Sequence, residues 1–268
     1  MRIAERLRQG WRMAGLILLL TTAGSGTAAP LATEGQADDL KVSDCRTMTW
    51  EAVNYSVCHA DPARDQIMLF NRDPHGVPYG GFDRLAAQLR AERLMLVFAV
   101  NGGMYDHALA PVGLSVENGV QLKAANTNTG FGNFHLLPNG VFAVGDGQAV
   151  VRETKAYLKS RFPADFATQS GPMLVIDGQL HPRFLPHSDS LKIRNGVGIT
   201  DEGQVAFVLS EQRVRFYDFA RFFRDALGCD NALYLDGSVS SLYAKALGRN
   251  DHRHPLGPIL GVVRPLPD

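Results

Sequence analysis

Short apolar segments separated by Asn-Gly or Asp-Gly pairs run through most of this chain, and they restrict its fold more than any other feature. Such a pair between two strand-like segments favours a tight turn, because both of its residues adopt positive φ at little cost. Turns this short join antiparallel strands. The turn signals are Asn118-Gly119, Asn139-Gly140, Asp146-Gly147, Asp177-Gly178 and the longer Asp201-Glu202-Gly203. The sequence therefore predicts antiparallel sheet.

Two segments predict helices between the strands. Residues 83–92 form the first, with Asp83 as its cap, and they lead into a nearly all-apolar strand at 94–100. Residues 218–227 place phenylalanines and alanines at helical spacing, before a glycine that stops the helix. We expect Asp218 to cap this second helix. The fold class is α+β: mixed, largely antiparallel sheet or sheets with a few packed helices, in a single domain.

The first 29 residues have the pattern of an export signal. Arginines precede the apolar run MAGLILLLTTAG, and the small residues of SGTAAP follow it. The run is short for a membrane span, so we expect cleavage near Ala28 or Ala29, with an uncleaved anchor as the alternative. We expect residues 30–44 to form a flexible lead-in to a domain at 45–268. We expect a periplasmic or secreted protein without a stable membrane span.

Export makes the three cysteines informative. Cys45 and Cys58 flank a strand-like stretch, and in an oxidising compartment they predict a disulfide across a small hairpin. Cys229 precedes an apolar strand without a paired histidine motif, so a buried thiol is favoured over a catalytic one. Without the export signal, acids slightly outnumber bases. No concentrated basic face is present, which argues against a nucleic-acid partner.

Two apolar segments end in the same way, in a polar residue followed by glycine. LMLVFAV precedes NGG at 101–103, and ALYL precedes DGS at 236–238. A polar side chain at the end of a buried strand is held rigidly, while glycine permits close approach of a substrate. An ordinary turn explains either motif alone equally well. If both ends face one cleft, Asn101 and Asp236 share a candidate site.

Candidate anion ligands are found near these strand ends. The stretch GSVSSLYAKAL has hydroxyls where we predict a helix to begin, and the N–H groups of a helix start suit a phosphate. N-capping by one serine is the simpler alternative. Arg194 directly precedes a small apolar strand, where its guanidinium suits a phosphate and Lys192 assists. A salt bridge is an equal alternative for Arg194.

Two other segments add polar candidates. ATQSGPMLV has Gln169 and Ser170 directly before a glycine, and GFGNFH contains Asn133 and His135. We interpret His135 as a structural residue with satisfied hydrogen bonds. Ser170 and Asn133 are therefore the candidates of these segments.

Several separated motifs together resemble the phosphodiester glycosidase domain family, and its exported bacterial branch in particular. They are NGGMYD with PVGLSVENG, GFGNFHLLPNGVFAV, QSGPMLVIDGQLHPRF, IRNGVGIT and NALYLDGSVSSLY, within about residues 45–265. The resemblance implies an exported hydrolase that cleaves the sugar C1–O bond of a glycosyl phosphodiester and releases free sugar and a phosphomonoester. The implied partner is a glycosyl-phosphate small molecule or a cell-envelope polymer. No cofactor is implied, with a divalent cation such as calcium as the alternative.

The candidate residues suit this chemistry. Because a phosphate monoester leaves readily, positive charge and N–H donors around the phosphate replace much of the work of a general acid. We assign Asp236 to shielding the oxocarbenium-like centre or activating water, with Asp106 and Glu117 as the next choices and Arg194 on the phosphate. The predicted substrate-binding residues are Asn101, Gly102, Ser170, Asn133, Gly237, Ser238 and Ser240.

Two other functions are open. A protein that keeps the fold without catalysis would bind carbohydrate or cell wall. A metal-dependent phosphodiesterase would use Asp236 and Asp106 as hard ligands and cut the P–O bond. Free sugar as product identifies C–O cleavage, and sugar phosphate identifies P–O cleavage.

Overall fold

The computed structural model describes residues 44–267. The predicted export signal and nearly all of the predicted lead-in lie outside these residues. The helices are α1 (Phe82–Ala91), α2 (Thr154–Ser160) and α3 (Phe216–Arg221). The strands are β1 (Cys45–Trp50), β2 (Val53–Ala60), β3 (Gln66–Phe70), β4 (Leu94–Asn101), β5 (Ser115–Glu117), β6 (Val120–Lys123), β7 (Gly140–Gly145), β8 (Gln148–Glu153), β9 (Phe166–Ser170), β10 (Met173–Ile176), β11 (Gln179–Leu180), β12 (Asn195–Thr200), β13 (Val205–Ser210), β14 (Cys229–Tyr234), β15 (Leu242–Ala244), β16 (Arg249–Asn250) and β17 (Ile259–Pro265).

The strands form three sheets. The seven-stranded sheet has the order β1-β2-β13-β12-β14-β10-β11, the β4 sheet has the order β16-β15-β4-β17-β3, and the β9 sheet has the order β6-β5-β9-β7-β8. The strand pairs described in these sheets are antiparallel. The prediction of an α+β fold with largely antiparallel sheets is confirmed. Within residues 44–267, no helix is both long enough and apolar enough to cross a bilayer.

Three of the predicted Asx-Gly turns connect antiparallel strands. Positive φ at both residues characterises the turns Asn118-Gly119, Asp146-Gly147 and Asp177-Gly178, which join β5 to β6, β7 to β8 and β10 to β11. The prediction of a turn at Asn139-Gly140 is wrong. Asn139 is buried and donates to the Phe134 carbonyl, while Gly140 begins β7. A Cβ at Gly140 would lie 2.2 Å from the Met173 sulfur, so packing requires this glycine.

The two predicted helices form, but their caps differ from the prediction. Gly81, not Asp83, precedes α1, and the Asp83 carboxylate accepts from the Asn250 side chain instead. The second helix starts earlier than predicted, after Arg215, and continues beyond α3 as a π-helical segment, Phe222–Ala226. Asp218 lies within its first turn. Neither aspartate therefore acts as the N-cap.

Aromatic packing and a disulfide hold the seven-stranded sheet. The rings of Tyr55 and Phe222 stack with their centroids 3.8 Å apart, so the aromatic stripe of the second helix covers β2 as a core layer. Cys45 and Cys58 lie opposite each other on β1 and β2 and form the predicted disulfide. Cys229 is a free, buried thiol, and burial raises its pKa to about 12.

The β4 sheet and the seven-stranded sheet share one buried cluster, which brings two strand ends together. Val100 near the end of β4 and Leu235 just after β14 both belong to this cluster. Because apolar packing holds the strands up to these positions, the polar residues that follow them are fixed in a common region. This arrangement positions the candidate site.

Candidate functional site

Asn101, the last residue of β4, connects three other segments of the chain. Its side-chain amide donates to the Asp236 carbonyl at 2.7 Å. Its Oδ1 accepts from the Ser241 backbone N–H at 2.9 Å and from the Asn195 side chain at 3.0 Å. Asn101 is completely buried, so these bonds are made without competition from water. The structure thus brings the two predicted strand ends together through the side chain of Asn101.

The glycines after Asn101 permit close backbone packing. The Gly102 carbonyl accepts from the Asp236 N–H at 3.3 Å, and its own N–H donates to the Pro258 carbonyl at 2.7 Å. A Cβ at Gly103 would lie 2.4 Å from the Gln169 carbonyl oxygen. Gly102 therefore helps to form the site through its backbone, and the absence of a side chain at Gly103 lets the end of β9 approach.

Asp236 is a partly buried carboxylate among polar neighbours. One of its oxygens accepts from the Ser238 N–H at 3.1 Å. Burial raises the pKa of Asp236, against the opposing effects of the Ser238 N–H and the positive charge of His254. Burial and the nearby Asp236 charge raise the pKa of Tyr105 to about 12, and burial is the main cause of the same value at Tyr234. A carboxyl group of raised pKa is a suitable proton acceptor near neutral pH.

The predicted helix after Asp236 is wrong. A 3-10 turn, Gly237–Val239, leads into β15, whose Leu242 and Ala244 lie opposite Val100 and Phe98 of β4. Pairing with β4 thus overrides the local helix preference of this segment. The Ser240 hydroxyl donates to the Gly237 carbonyl at 2.9 Å, so it stabilises the turn. Ser238 is exposed beside Asp236.

Arg194 lies behind the site rather than in it. Only 1% of the residue is exposed. Its Nε donates to the Val214 carbonyl and its Nη2 to the Ser190 carbonyl, both at 2.9 Å, and its guanidinium carbon lies 3.6 Å from the centre of the Phe216 ring. The prediction that Arg194 binds a phosphate directly conflicts with this geometry, because the guanidinium is sealed and bonded internally.

Tyr234 connects Arg194 with the turn after Asp236. The Arg194 guanidinium and the Gly237 backbone both lie close enough to the Tyr234 hydroxyl to oppose the rise in its pKa that burial causes. A Cβ at Gly237 would lie 1.8 Å from that oxygen, which leaves no room for a side chain. Gly237 is therefore required where the backbone of the turn lies against the tyrosine, and Arg194 supports this contact from the interior.

The two other acidic candidates lie in separate surroundings. Asp106 is exposed and accepts from the N–H groups of Ala108 and Ala110 at 2.8 and 3.0 Å, which lower its pKa. Glu117 is at the end of β5, where it accepts from the Asn71 side chain, and burial raises its pKa. Neither carboxylate bonds to the Asn101–Asp236 junction. Within residues 44–267, no group of three His, Cys, Asp or Glu side chains is placed to hold a metal ion.

Ser170 and Asn133 lie on the β9 side of the junction. Ser170 is completely buried, and its hydroxyl has no hydrogen-bond partner within the described part of the chain. Thr168 lies two residues earlier, on the same face of β9, with its hydroxyl against Gly103. Ser170 therefore shares the strand face that lies against the end of β4. Asn133 is exposed, and its carbonyl lies beside Gly171.

Sequence reasoning missed four residues of this region. Asn195 and Tyr105 stand inside the quoted motifs IRNGVGIT and NGGMYD, directly beside or close to candidates that were named. Tyr234 ends the strand before Asp236. Its apolar sequence neighbours indicate a core residue and give no sign that its hydroxyl contacts the turn. His254 comes from DHRHP, where only the fold shows its proximity to Asp236. The sequence signal that could have found Asn195 and Tyr105 is their position in the same motif as a named candidate residue.

A separate cleft of about 550 Å³ lies at the opposite end of β14. Its acidic lining residues include Glu153, Asp177 and Asp230. The Glu153 carboxylate caps α2 by accepting from the Ala156 N–H, and the Asp177 carboxylate accepts from the Asn231 side chain at 3.4 Å. These groups hold local structure, and the chemistry of the Asn101–Asp236 junction is absent from this cleft.

The three-sheet fold is shared with known proteins. It is similar to the catalytic domain of zebrafish N-acetylglucosamine-1-phosphodiester alpha-N-acetylglucosaminidase, in a form auto-inhibited by its pro-peptide, with a TM-score of 0.59, 15% identity and 81% of each chain covered. A hypothetical protein from Synechocystis has a TM-score of 0.53 at 15% identity, over 82% of this chain and 61% of that one. These likenesses show that the chain shares its fold with both proteins.

The chain belongs to the phosphodiester glycosidase family, which it matches over residues 95–264. It is also 39% identical to the uncharacterized protein YigE of Escherichia coli K12 over 229 residues, which is 85% of this chain and 87% of YigE. The predicted family resemblance is confirmed.

Proposed function

We propose that this protein is an exported hydrolase that cleaves the sugar C1–O bond of a glycosyl phosphodiester and releases free sugar and a phosphomonoester. Membership of the phosphodiester glycosidase family supports the reaction class. The name of the zebrafish neighbour describes action on an N-acetylglucosamine 1-phosphodiester, which supports a sugar 1-phosphodiester as substrate. The Asn101–Asp236 junction is the observation that links this reaction to particular residues. It holds a carboxylate of raised pKa beside two glycine-rich strand ends.

The reaction requires a group that stabilises positive charge at C1 and accepts a proton from water. As the C1–O bond breaks, its electron pair stays with the phosphate oxygen, which leaves as the phosphomonoester. The Asp236 carboxylate then stabilises the developing oxocarbenium ion and takes a proton from the water that adds to C1. Its raised pKa makes it a better base than an ordinary exposed aspartate.

Rigid placement of Asp236 supports this role. The Asn101 amide and the Gly102 carbonyl fix its backbone on both sides. Tyr234, with Arg194 behind it, holds the following turn. Preorganised groups of this kind do not need to reorganise during the reaction. Ser170 is as fully buried as Arg194, so its unpartnered hydroxyl lies behind the surface that a substrate reaches.

Action outside the cytoplasm is part of the proposal. The Cys45–Cys58 disulfide supports it, because such bonds persist in oxidising compartments and are rare in the cytosol. Fractionation of cells that produce the full chain tests the location. Recovery of a shortened protein beginning near residue 29 in the exported fraction is the expected result, and a full-length cytoplasmic protein would contradict it.

Hydrolysis in ¹⁸O-labelled water tests the reaction. The exported protein is incubated with a panel of sugar 1-phosphodiesters, and the products are analysed by mass spectrometry. We expect free sugar with the label on C1, because water adds to carbon. Label on the phosphate identifies P–O cleavage and the metal-dependent phosphodiesterase alternative. Binding of envelope polymer without turnover of any substrate identifies the non-catalytic alternative.

A further inference from the structure

The 251–258 loop joins β16 to β17 and lies against the candidate site. The Tyr105 hydroxyl donates to the Pro255 carbonyl at 2.5 Å, and the Gly102 N–H donates to the Pro258 carbonyl. A Cβ at Gly257 would lie 2.4 Å from the Tyr105 ring, so the loop backbone packs directly on that ring. These contacts fix the loop beside the end of β4.

The two ionisable residues at the start of this loop, Asp251 and His252, already have ionisable partners. Asp251 pairs with Arg249 at 2.9 Å and accepts from the Leu242 N–H at 3.0 Å. The His252 Nδ1 lies 3.4 Å from an Asp83 oxygen. The Asp251 contacts anchor the loop beside β15, whereas the His252 contact with α1 lies on the exposed surface.

Arg253 and His254 differ from their neighbours. Both are exposed, and in the described part of the chain neither has a carboxylate within ion-pair distance. His254 nevertheless lies near enough to Asp236 for its charge to favour the ionised carboxylate. Tyr105 bonds to Pro255, the residue after His254, and is also near enough to Asp236 for that charge to raise the tyrosine pKa. The contacts of Pro255 with Tyr105 and of Pro258 with Gly102, which itself bonds to Asp236, thus hold the loop that carries Arg253 and His254 next to the segment of the proposed catalytic carboxylate.

We propose that Arg253 and His254 form the phosphate subsite, which binds the non-bridging oxygens of a sugar 1-phosphodiester while Asp236 acts at C1; this rests on the proposed function. C1 and phosphorus are separated by a single oxygen, so the phosphate ligands must lie next to that carboxylate. Arg194 is bonded internally, and the Ser240 hydroxyl is used within its turn. A guanidinium binds phosphate oxygens in a bidentate manner, and a protonated imidazole adds a second charged donor.

The subsite also acts on the leaving group. When the C1–O bond breaks, a second negative charge develops on the phosphate. Cationic donors held at that position stabilise the transition state more than the ground state, which accelerates the reaction. The subsite therefore predicts a preference for phosphodiesters over neutral glycosides of the same sugar.

The variants Arg253→Gln and His254→Gln test the subsite, with His252→Gln as the matched control from the same loop. Each protein is assayed on a sugar 1-phosphodiester and on the uncharged 4-nitrophenyl glycoside of the same sugar. We expect kcat/KM for the phosphodiester to fall about 10- to 100-fold in each test variant, as for loss of one charged donor. We expect about threefold change or less with the neutral glycoside, and wild-type values for the control.

Binding of inorganic phosphate, measured by calorimetry, separates failure of the subsite from failure of the proposed function. Equal losses on both substrates, or equal losses in His254→Gln and His252→Gln, overturn the subsite and leave the hydrolase intact. If no substrate is turned over, weaker phosphate binding by the two test variants than by the control still supports the subsite. Equal phosphate binding by all four proteins overturns it. Circular dichroism and thermal unfolding verify that each variant is folded.

Discussion

Asp106 and Asp236 occupy similar local structures and have opposite pKa shifts. Each follows a strand that ends near glycine, and each accepts from the backbone N–H two residues further along the chain. The pKa of exposed Asp106 is lowered by these hydrogen bonds, whereas burial raises the pKa of Asp236 despite its hydrogen bond. The comparison shows that packing around a carboxylate, rather than its turn motif, decides whether it suits general base catalysis.

The largest expected difference between the two aspartates is in catalysis. Asp236→Asn removes the proposed base, and we expect kcat/KM on a sugar 1-phosphodiester to fall by about 10³-fold or more. Asp106→Asn changes an exposed turn, and we expect about twofold change or less. Initial rates of sugar release measure both. Comparable losses in the two variants would break the comparison.

Asn101→Asp tests whether the buried junction is what distinguishes Asp236. The substitution replaces the amide that donates to the Asp236 carbonyl with an oxygen, and ionisation would bury a charge. We expect a loss of about 2–4 kcal/mol in the free energy of unfolding, together with lower activity. Urea denaturation measures the stability. Asn118→Asp, in an exposed turn, is the control, and equal stability of the two variants would contradict the junction's role.

The pH dependence of activity sharpens the comparison further. The ionised form of Asp236 is the active one in the proposed mechanism, so kcat/KM rises as pH increases through its pKa. Because burial raises that pKa, the rising limb should lie above the usual carboxyl range near about pH 4. A profile of kcat/KM against pH measures the limb, and Asp106→Asn should leave it unchanged. A flat profile from about pH 4 upward would contradict the assignment.

The smallest expected effect is on the pH dependence of the free energy of unfolding. Substitution of the two aspartates should change this dependence in opposite directions. The pKa of Asp236 is higher in the folded state than in the unfolded state. Asp236 therefore contributes stability at low pH, and this contribution is lost as pH rises through the folded pKa. The lowered pKa of Asp106 gives a contribution present above its unfolded pKa and lost as pH falls through the folded pKa. Relative to wild type, Asp236→Asn should therefore gain stability between acid and neutral pH, and Asp106→Asn should lose it.

Urea denaturation of the wild type and both variants, at acid and at neutral pH, measures these contributions. The same sign for both variants would show that burial does not separate the two aspartates. Wild type at each pH serves as the reference, since other groups titrate over the same range.

The sequence predicted much of the architecture because its signals are local. An Asx-Gly pair predicts a hairpin turn without information from distant residues. Three of the predicted pairs form tight turns with positive φ at both residues. The Cys45–Cys58 bond also joins partners that are near in sequence. The convergence of Asn101 and Asp236 was predicted from two similar strand ends, although the hydrogen bond between them links residues far apart in the chain.

The failures arose where distant segments decide local structure. Residues after Gly237 have the composition of a helix, yet Leu242 pairs with Val100 of β4. Arg194 precedes a strand, but sequence alone does not say whether its side chain faces solvent or, as here, the ring of Phe216. The contribution of His254 depends on a loop packed against Tyr105, which no local pattern encodes.

Cys229 offers a practical route to observing ligand binding. Its thiol is buried and its pKa is about 12, while the other two cysteines are joined to each other. Thiol-reactive dyes need an accessible thiolate, so the native protein should remain unlabelled. One cysteine introduced at an exposed position would then carry a fluorophore selectively, without removal of any native cysteine.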